Sequence, residues 1–259
     1  MTPISVVIIT FNEEKNIGRC IDSVKNIADE IIVLDSFSSD KTVDIAQSMG
    51  AVVHQQVFAG YIEQKNKALS YASNQFVLSL DADEAIDQVL EKSILELKKN
   101  IPRKGYTVNR CTNYCGKFIR HGSWYPDKKL RLFDNRKARF GGVNPHDFVQ
   151  FDSPQSVAHL KGEILHYSYN SLDEHIIQNN RFSTISAEAY LKKGKKSSWF
   201  KIIVNPAWAF INDFIIRLGF LNGFYGYIIA KNIAHLTFMK YYKLYALQKG
   251  LPVRPKNNG

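Results

Sequence analysis

Cysteine is scarce in this 259-residue sequence. Its three cysteines, Cys20, Cys111 and Cys115, are an odd number and too few for a disulfide framework. Cys111 and Cys115 together with His121 offer the residue types of a metal site, but their spacing lacks the paired short knuckles of a zinc site. Free thiols in a reducing compartment are the favoured interpretation.

Long apolar runs are lacking as well. The N-terminal run Ile4–Ile9 has six residues and no basic segment before it, which predicts a buried strand rather than a signal peptide. The longest charge-free stretch of the aromatic-rich C-terminal part, Leu218–Ala230, has 13 residues and includes Asn222 and three glycines. Because a spanning helix needs about 20 apolar residues, we expect a cytoplasmic protein without a transmembrane segment.

The glycine loops of common nucleotide-binding enzymes are missing. The sequence contains neither G-x-G-x-x-G nor G-x-x-x-x-G-K-[ST], which argues against a dinucleotide-dependent or P-loop enzyme. Asp35 ends the β-branched run in EIIVLDSFSSDKT, and an acid at the end of a second strand can accept hydrogen bonds from a nucleoside. The alternative is a structural Asp35 that caps the helix beginning near Lys41.

Acidic residues are nearly absent from the C-terminal part. Residues 181–259 hold 13 Lys and Arg against 2 Asp and Glu, whereas residues 1–180 hold 21 against 22. The net charge of +10 therefore comes from the C-terminal third. This asymmetry predicts contact with a polyanion, either nucleic acid or an anionic membrane surface.

The same part of the chain is rich in aromatic residues. Residues 199–245 hold 13 of the 32 aromatics, and aromatics mixed with lysines are typical of helices in the headgroup region of a membrane. The alternative is a helical subdomain packed on the core or on a second subunit, which would make the protein a homodimer. Long aliphatic residues accompany the aromatics without a repeated base-stacking pattern, which disfavours nucleic acid.

Strand and helix patterns alternate through the first hundred residues. This alternation predicts a parallel sheet with helices on both faces and ligands beyond the carboxyl ends of the strands. Asn12 is the expected N-cap of the first helix. The predicted strands are Ile4–Ile9, Glu30–Leu34, Ala51–Gln56 and Phe76–Leu80, and the predicted helices are Glu13–Val24, Lys41–Met49, Ile62–Ala72 and Ala85–Leu97.

From about residue 102 the pattern changes to short strands joined by glycine- and proline-containing loops. We interpret this part as a mixed second half of the same domain. The expected organisation is a domain over 1–180, with halves 1–100 and 101–180, followed by an amphipathic helical extension over 181–259. The predicted strands of the second half are Tyr106–Arg110, Phe118–His121, Lys129–Phe133 and Ile164–Tyr169.

The motif LSLDADE brings three acids to the end of a hydrophobic strand. Asp81, Asp83 and Glu84 repel one another and raise each other's pKa unless a cation compensates them. Hard divalent cations take oxygen ligands and share them with substrate phosphates. A bare D-x-D is common, but its position after a buried strand makes the metal interpretation stronger. The alternative is a solvated acidic turn that caps the next helix.

Several motifs together resemble the family-2 glycosyltransferases. They cover nearly the whole chain in the expected order, and they are most similar to the lipopolysaccharide core β-1,4-glucosyltransferase group. The resemblance implies a GT-A fold, in which a Rossmann-like mixed sheet with flanking helices forms a nucleotide-binding half and an acceptor half. The motifs are VVIITFNEEKNI, EIIVLDSFSSDKTVDIA, QKNKAL followed by FVLSLDADE, PDKKLRLF and LGFLNGFYGY.

The resemblance also assigns the donor site. Thr10, Asn12 and Glu14 would line the nucleoside pocket, with Asp35 on the base. Lys65 belongs to the segment that contacts the donor.

For the metal, the resemblance implies Mg²⁺ or Mn²⁺. Asp81 would approach the ribose and the metal-bound phosphates, and Asp83 would be the main metal ligand. His166 in LHYSY occupies the place of a late histidine near the metal, although a satisfied structural histidine is an equal alternative.

The resemblance places a catalytic base after a glycine-containing loop, and in FGGVNPHDFV this is Asp147. Many relatives carry His-Glu where this chain has His146-Asp147, and the alternative is that Asp147 caps a turn. Arg131 in KKLRLF is expected to bind donor phosphate or acceptor, because its fork of donors suits anions. Asn222 replaces the aspartate of a G-F-L-D-G motif, which indicates a structural role for that turn.

The expected reaction is a single displacement that inverts the anomeric carbon. The resemblance implies a hexose from a UDP-sugar and a lipopolysaccharide-core or other lipid-linked acceptor, used at the inner face of the cytoplasmic membrane. One alternative is a sugar-nucleotidyltransferase, but TFNEEKNI lacks the glycine-rich loop of those enzymes. The other alternative is a non-enzymatic membrane-surface module, in which the acidic residues would be dispensable.

Overall fold

A computed structural model describes residues 1–144 and 146–253, except for the side chain of His146. The chain divides into two compact units. The first comprises Met1–Thr112 and Asp127–Tyr167, and the second comprises Asn113–Pro126 and the residues from Ser168 onward. The domain boundary expected near residue 180 falls inside a helix of the second unit, Leu172–Lys192.

The strands follow the predicted order in the first half of the chain. In the described residues they are β1 (Ile4–Thr10), β2 (Glu30–Asp35), β3 (Val52–Gln55), β4 (Phe76–Asp81), β5 (Glu84–Ile86), β6 (Gly105–Tyr114), β7 (Lys117–Phe118), β8 (Asp127–Asp134), β9 (Ala138–Val143), β10 (His146–Phe151) and β11 (Val157–Tyr169). One sheet has the order β3-β2-β1-β4-β8-β6-β11-β5, with β7 beside β6. The strands β1 to β4 pair in parallel. The pairs β4–β8, β8–β6 and β11–β5 are antiparallel.

Helices cover both faces of the parallel strands. They are α1 (Ile17–Val24), α2 (Thr42–Ser48), α3 (Tyr61–Tyr71) and α4 (Gln88–Leu97). Val6 and Ile8 of β1 belong to the core cluster on the side of α1 and α4, whereas Val7 belongs to the cluster on the side of α3. This alternation is what a strand buried on both faces produces. The predicted Rossmann-like mixed sheet with flanking helices is confirmed.

The strands β9 and β10 form a separate antiparallel hairpin. The side chain of Asn66 on α3 holds β9, because its Nδ2 donates to the Phe140 carbonyl and its Oδ1 accepts from the Phe140 N–H, each at 2.9 Å. This two-sided amide contact fixes the hairpin against α3. The hairpin carries Asp147, the acid that the resemblance places after a glycine-containing loop, and Asp147 lies on β10.

Three local predictions were wrong. The first helix begins at Ile17 and not at Glu13, and Asn12 is not its N-cap, because Asn12 adopts a left-handed conformation (φ 55°) and accepts a hydrogen bond from the Ser39 N–H. The start of the predicted helix Ala85–Leu97 is instead β5, which pairs with β11. The predicted strand Phe118–His121 ends at Phe118. In each case a partner distant in sequence overrides the local pattern.

The second unit is mostly helical. It contains α5 (Leu172–Lys192), α6 (Trp199–Ile211), a π-helical turn (Asn212–Ile216), a 3₁₀ turn (Gly219–Asn222) and α7 (Phe224–Gln248). Both α5 and α6 pack on α7. The Nζ of Lys243 on α7 ties the first pair together, since it lies 2.7 Å from the Ser183 hydroxyl and 2.9 Å from the Thr184 hydroxyl on α5.

The motif LGFLNGFYGY builds a close turn at the start of α7. A Cβ atom on Gly226 would lie 1.9 Å from the Gly219 carbonyl oxygen, so only glycine permits this approach. The Asn222 side chain holds the neighbouring loop, donating to the His121 carbonyl at 3.0 Å and accepting from the Arg120 N–H at 3.2 Å. These contacts give Asn222 the structural role inferred from its replacement of aspartate. Within the described residues, no helix combines the length and the apolar character that a membrane span requires.

Candidate active site

The carboxyl ends of three parallel strands meet at one edge of the sheet. β1 ends at Thr10, β2 at Asp35 and β4 at Asp81. The register pairs Thr10 with Asp35 and Ile9 with Asp81. The buried apolar residues that precede them fix the strands in the core, so these polar residues share the edge where ligands bind in α/β sheets.

Asp81 lies between two buried cations. The Lys65 Nζ is 3.1 Å from Oδ1 of Asp81, and the Arg131 Nη2 is 3.4 Å from Oδ2. Lys65 and Arg131 are each 4% exposed. Burial by itself raises the pKa of Asp81, but the charges of Lys65 and then Arg131 outweigh it and hold this pKa well below its ordinary value. Asp81 is therefore a carboxylate at neutral pH.

Glu84 is the buried counter-ion of Arg131. Its Oε1 accepts from the Arg131 Nη2 at 2.7 Å and lies 3.6 Å from the Arg110 Nη1. Its Oε2 accepts the Asp81 backbone N–H at 3.0 Å. Glu84 thus fixes both the turn after β4 and the guanidinium beside Asp81. The sequence placed Glu84 in the acidic cluster but gave no sign of this partnership.

Asp83 faces His166 across the turn. The His166 Nε2 is 3.1 Å from Oδ2 of Asp83, and the Tyr167 N–H donates to the Asp83 carbonyl at 2.9 Å. The other ring nitrogen of His166, Nδ1, is buried without a hydrogen-bond partner among the described residues. The predicted metal ligands Asp83 and His166 are therefore together, whereas Asp81 is engaged by Lys65 and Arg131.

This donor set fits a cation that shares its coordination with substrate. In the described part of the chain, no group of three or more His, Cys, Asp or Glu side chains is arranged to hold a metal. Asp83 and His166 supply one hard oxygen and one imidazole nitrogen, types that Mg²⁺ or Mn²⁺ accepts. A site with few protein ligands leaves positions for the oxygens of a diphosphate, as is usual for Mg²⁺.

Glu13 is a site residue that the sequence reasoning missed. Burial raises its pKa, and the charge of Asp83 raises it further, while a hydrogen bond from Asn16 opposes the shift. Glu13 therefore adds negative potential beside Asp83. A signal was available, because Glu13 follows β1 by three positions in the run TFNEE, where site residues of a parallel sheet gather.

Asp147 joins the same charge cluster from the hairpin. Its Oδ2 is 2.9 Å from the Lys65 Nζ, and its side chain is only partly exposed. Lys65 therefore bridges Asp147 and Asp81, and these residues of α3, β4 and β10 are separated widely in sequence. The neighbouring His146 side chain lies outside the described part of the structure.

Asn12 and Glu14 lock the loop after β1 to the loop after β2. The Asn12 N–H donates to the Ser38 hydroxyl at 2.8 Å. The Asn12 Oδ1 accepts from the Ser39 N–H, also at 2.8 Å. Glu14 Oε2 accepts from the Lys41 N–H at 3.3 Å. The two predicted donor-binding residues are thus held at the sheet edge by backbone contacts.

Asp35 is fully buried and well supplied with hydrogen bonds. It accepts from the Ser38 N–H at 2.9 Å, from the Gln55 Nε2 at 3.0 Å and from the Ser38 hydroxyl. It therefore organises the loop after β2. Thr10 contrasts with it, because the buried Thr10 hydroxyl has no hydrogen-bond partner among the described residues.

The cysteines are free thiols, as the sequence predicts. Cys20 on α1 lies under the site, with its Sγ 3.7 Å from the Asp81 carbonyl oxygen. Burial and the surrounding carboxylates raise the pKa of Cys20 well above its ordinary value. This thiol is therefore protonated and serves as packing.

Comparison with known proteins identifies the family. The model of glycosyl transferase family 2 matches residues 5–156. An uncharacterised glycosyltransferase of Rickettsia typhi is 35% identical over 254 residues, covering 94% of this chain and 87% of the relative. The lipopolysaccharide core biosynthesis glycosyltransferase LpsC of Rhizobium meliloti is 30% identical over 261 residues, covering 95% and 94%. This chain belongs to glycosyl transferase family 2 and is a glycosyltransferase.

Some solved structures are similar to this chain over part of its length or at low identity. S. aureus TarS is 16% identical with a TM-score of 0.45, covering 98% of this chain and 93% of that one. Glucosyl-3-phosphoglycerate synthase from Mycobacterium tuberculosis, solved with Mn²⁺ and UDP-glucose, is 28% identical with a TM-score of 0.36, covering 43% and 44%.

Proposed function

We propose that this enzyme transfers a hexose from a UDP-sugar to a lipopolysaccharide-core or related surface-glycan acceptor, with inversion at the anomeric carbon. The observation that carries the proposal is the cluster at the end of β4. There Lys65 pairs with both Asp81 and Asp147, and Asp83 faces His166 two residues after Asp81. A site of this kind brings together a cation that can bind an anionic leaving group and a carboxylate that can accept a proton.

The nucleoside would bind at the ends of β1 and β2. Thr10 has a buried hydroxyl free for a ligand among the described residues, and Asn12 and Glu14 are fixed beside it. Asp35 would accept a hydrogen bond from the base with its remaining lone-pair capacity. UDP is chosen as the nucleotide because of the family resemblance.

The divalent cation would be held by Asp83 and His166, with Asp81 completing the site through the donor phosphates. When bound, it neutralises the charge that develops on the leaving diphosphate. Lys65 and Arg131 lie at the same edge, and the guanidinium of Arg131 is always charged. Because Lys65 already pairs with two carboxylates, a diphosphate entering the site would compete for it and loosen its contact with Asp147.

Asp147 would act as the general base. Its carboxylate takes the proton of the acceptor hydroxyl while that oxygen forms a bond to the anomeric carbon. The bond from the anomeric carbon to the diphosphate breaks on the opposite face, and the electron pair leaves with the diphosphate. Holding both substrates in this line supplies much of the remaining acceleration.

The acceptor and location are inferred from the relative and from the charge distribution. LpsC is named for lipopolysaccharide core biosynthesis and aligns along nearly the full chain. The basic, aromatic C-terminal part suits an enzyme that works on a lipid-linked acceptor at the inner face of the cytoplasmic membrane. Contact with a second subunit is the competing role for that surface.

The test is transfer itself. The enzyme is incubated with UDP-hexoses, Mn²⁺ and truncated lipopolysaccharide cores, and products are detected by mass spectrometry and NMR. We expect one donor to give a β-linked product from its α-linked sugar. Asp147→Asn should lower kcat by about 10²- to 10⁴-fold, while Asp152→Asn on the same segment should not. A product of retained configuration, or full activity of Asp147→Asn, would overturn the mechanism.

A further inference from the structure

One face of α6 exposes an unusual set of large apolar side chains. Trp199, Phe200, Ile203 and Trp208 are 68%, 70%, 67% and 58% exposed, respectively. Ile202, on the other side of the helix, is buried. We call the side chains of Trp199, Phe200, Ile203, Val204, Trp208 and Ile211 the α6 face. Their spacing of three and four residues places them along one side of the helix.

A lysine-rich turn leads into this face. Lys192, Lys193, Lys195 and Lys196 are all exposed, and Lys201 follows on the helix itself. We call these five residues the lysine turn. A charged run beside an exposed aromatic face is the composition of helices that lie in a membrane interface, with apolar groups inward and lysines among the headgroups.

Hydrogen bonds fix the conformation of the lysine turn. The Ser197 hydroxyl donates to the Tyr241 carbonyl at 2.8 Å, which ties the turn to α7. The Lys201 Nζ donates to the Lys196 carbonyl at 2.8 Å, and the Ser198 side chain caps α6. These contacts hold the lysines next to Trp199 and Phe200.

We infer that the lysine turn and the α6 face attach the enzyme to an anionic lipid surface, with α6 lying in the headgroup layer. α6 has 13 residues, or roughly 20 Å at about 1.5 Å per residue, which is shorter than the ~30 Å hydrocarbon core. It is therefore suited to lie along the surface. The inference rests on the proposed function in one respect, because it names the element that would bring a peripheral enzyme to its lipid-linked acceptor.

A second copy of the chain is a poorer occupant of this surface. In a twofold interface the same patch meets itself, so the lysine turns of two copies would be brought near each other and repel. Lysine is also depleted at protein interfaces relative to the rest of the surface. Anionic headgroups neutralise the lysines, while the acyl boundary accepts the tryptophans.

Vesicle flotation of the full chain tests the attachment. We expect binding to vesicles of phosphatidylcholine with phosphatidylglycerol, and much weaker binding to phosphatidylcholine alone. Lys195→Glu/Lys196→Glu should weaken binding by at least about 25-fold, since each lysine contributes roughly fivefold. Its charge-matched control is Lys92→Glu/Lys161→Glu, at exposed positions of the first unit, which should bind nearly as wild type.

The apolar contribution is tested with Trp199→Ala/Phe200→Ala, for which we expect at least a tenfold loss because two exposed rings no longer enter the interface. The depth to which the α6 face enters the lipid layer is measured by tryptophan fluorescence. In a Trp124→Phe background, only Trp199 and Trp208 remain, so brominated lipids in the vesicles should quench most of the emission.

Two outcomes would overturn the inference. One is vesicle binding that is unchanged in both double variants, or tryptophan emission that brominated lipids do not quench. The other is a concentration-dependent dimer in sedimentation that Trp199→Ala/Phe200→Ala abolishes, which would assign the surface to a second copy. Binding of UDP with Mn²⁺ in the same variants is measured separately, so failure of the donor site and failure of the membrane attachment are distinguished.

Discussion

At the scale of single residues, the site is a chain of alternating charges. Asp147, Lys65, Asp81, Arg131 and Glu84 follow one another at distances of 2.9, 3.1, 3.4 and 2.7 Å. Each buried charge thereby has an opposite neighbour, which is the condition for keeping charges out of water. The positive charges of Lys65 and Arg131 hold the pKa of Asp81 low, so Asp81 stays ionised at the end of β4.

The acids of this chain could be predicted, but their partners could not. The motif LSLDADE marks Asp81 and Asp83 because a hydrophobic strand precedes them. Arg131 is 50 positions from Asp81, and only the pairing of β8 with β4 brings the two together. A single sequence gives no register for such antiparallel pairs, so the pattern does not identify Arg131 as the partner of Glu84.

The buried pair of Glu84 and Arg131 predicts a stability effect. Glu84→Gln should lower the free energy of unfolding by about 3 kcal/mol, because Arg131 stays buried with a weakened partner set. Urea unfolding measures the change. Glu96→Gln, which removes an exposed pair with Lys99, is the control and should leave the midpoint almost unchanged. Equal effects of the two substitutions would refute the role given to Glu84.

His175 predicts a pH dependence in the second unit. Burial lowers the pKa of His175 to about 4, and its Nδ1 is 2.9 Å from the Tyr114 hydroxyl. Unfolded histidine titrates near pH 6.5. Between these values the unfolded state binds more protons, so stability is complete above about pH 6.5 and falls as the pH drops toward 4. The full loss corresponds to about 3 kcal/mol.

Urea midpoints measured between pH 7.5 and about 4.5 test this dependence. His175→Gln should flatten the decline, whatever its effect at neutral pH, because the titrating group is gone. His159→Gln changes an exposed histidine and should retain the wild-type slope. A wild-type slope in His175→Gln would show that other groups cause the acid sensitivity.

At the scale of elements, local patterns predicted well where strands are buried and helices follow them. The bounds of β1 to β4, α2 and α3 agree with prediction to within one residue at each end. The failures have a common cause. β5 and the β9–β10 hairpin depend on pairing with distant strands or on Asn66, and α1 starts late because the loops after β1 and β2 bind each other.

Two helical glycines predict opposite outcomes on mutation to alanine. Gly226→Ala should lower the free energy of unfolding by about 3 kcal/mol. Its Cβ would lie 1.9 Å from the Gly219 carbonyl oxygen, so the turn that contains Gly219 would have to move away from α7. Gly18→Ala on α1 should stabilise by about 0.5–1 kcal/mol, because its Cβ would meet Ile45 at an ordinary 3.6 Å. Thermal unfolding of both variants measures these changes in stability. A Gly226→Ala variant as stable as wild type would contradict the tight turn.

At the scale of the whole molecule, the proposed site residues and the excess of basic residues lie in different units. The residues proposed for donor, metal and proton transfer belong to the first unit, and the lysine turn and α6 face belong to the second. The sequence placed the basic excess after residue 180, and the domain boundary expected there lies inside α5. The loop Asn113–Pro126 joins the second unit through contacts such as those of Asn222, which local patterns do not show.

The central claim is that Asp83 supports metal-dependent nucleotide binding. Its most direct test is calorimetric titration with UDP, GDP and dTDP, each with Mn²⁺ and with chelator, on wild type, Asp83→Asn and the exposed control Asp44→Asn. We predict tight UDP binding that needs Mn²⁺, is at least about tenfold weaker in Asp83→Asn, as expected for loss of a charged ligand, and is unchanged in Asp44→Asn. UDP binding that is equally tight with chelator, or in Asp83→Asn, would contradict the proposed donor site.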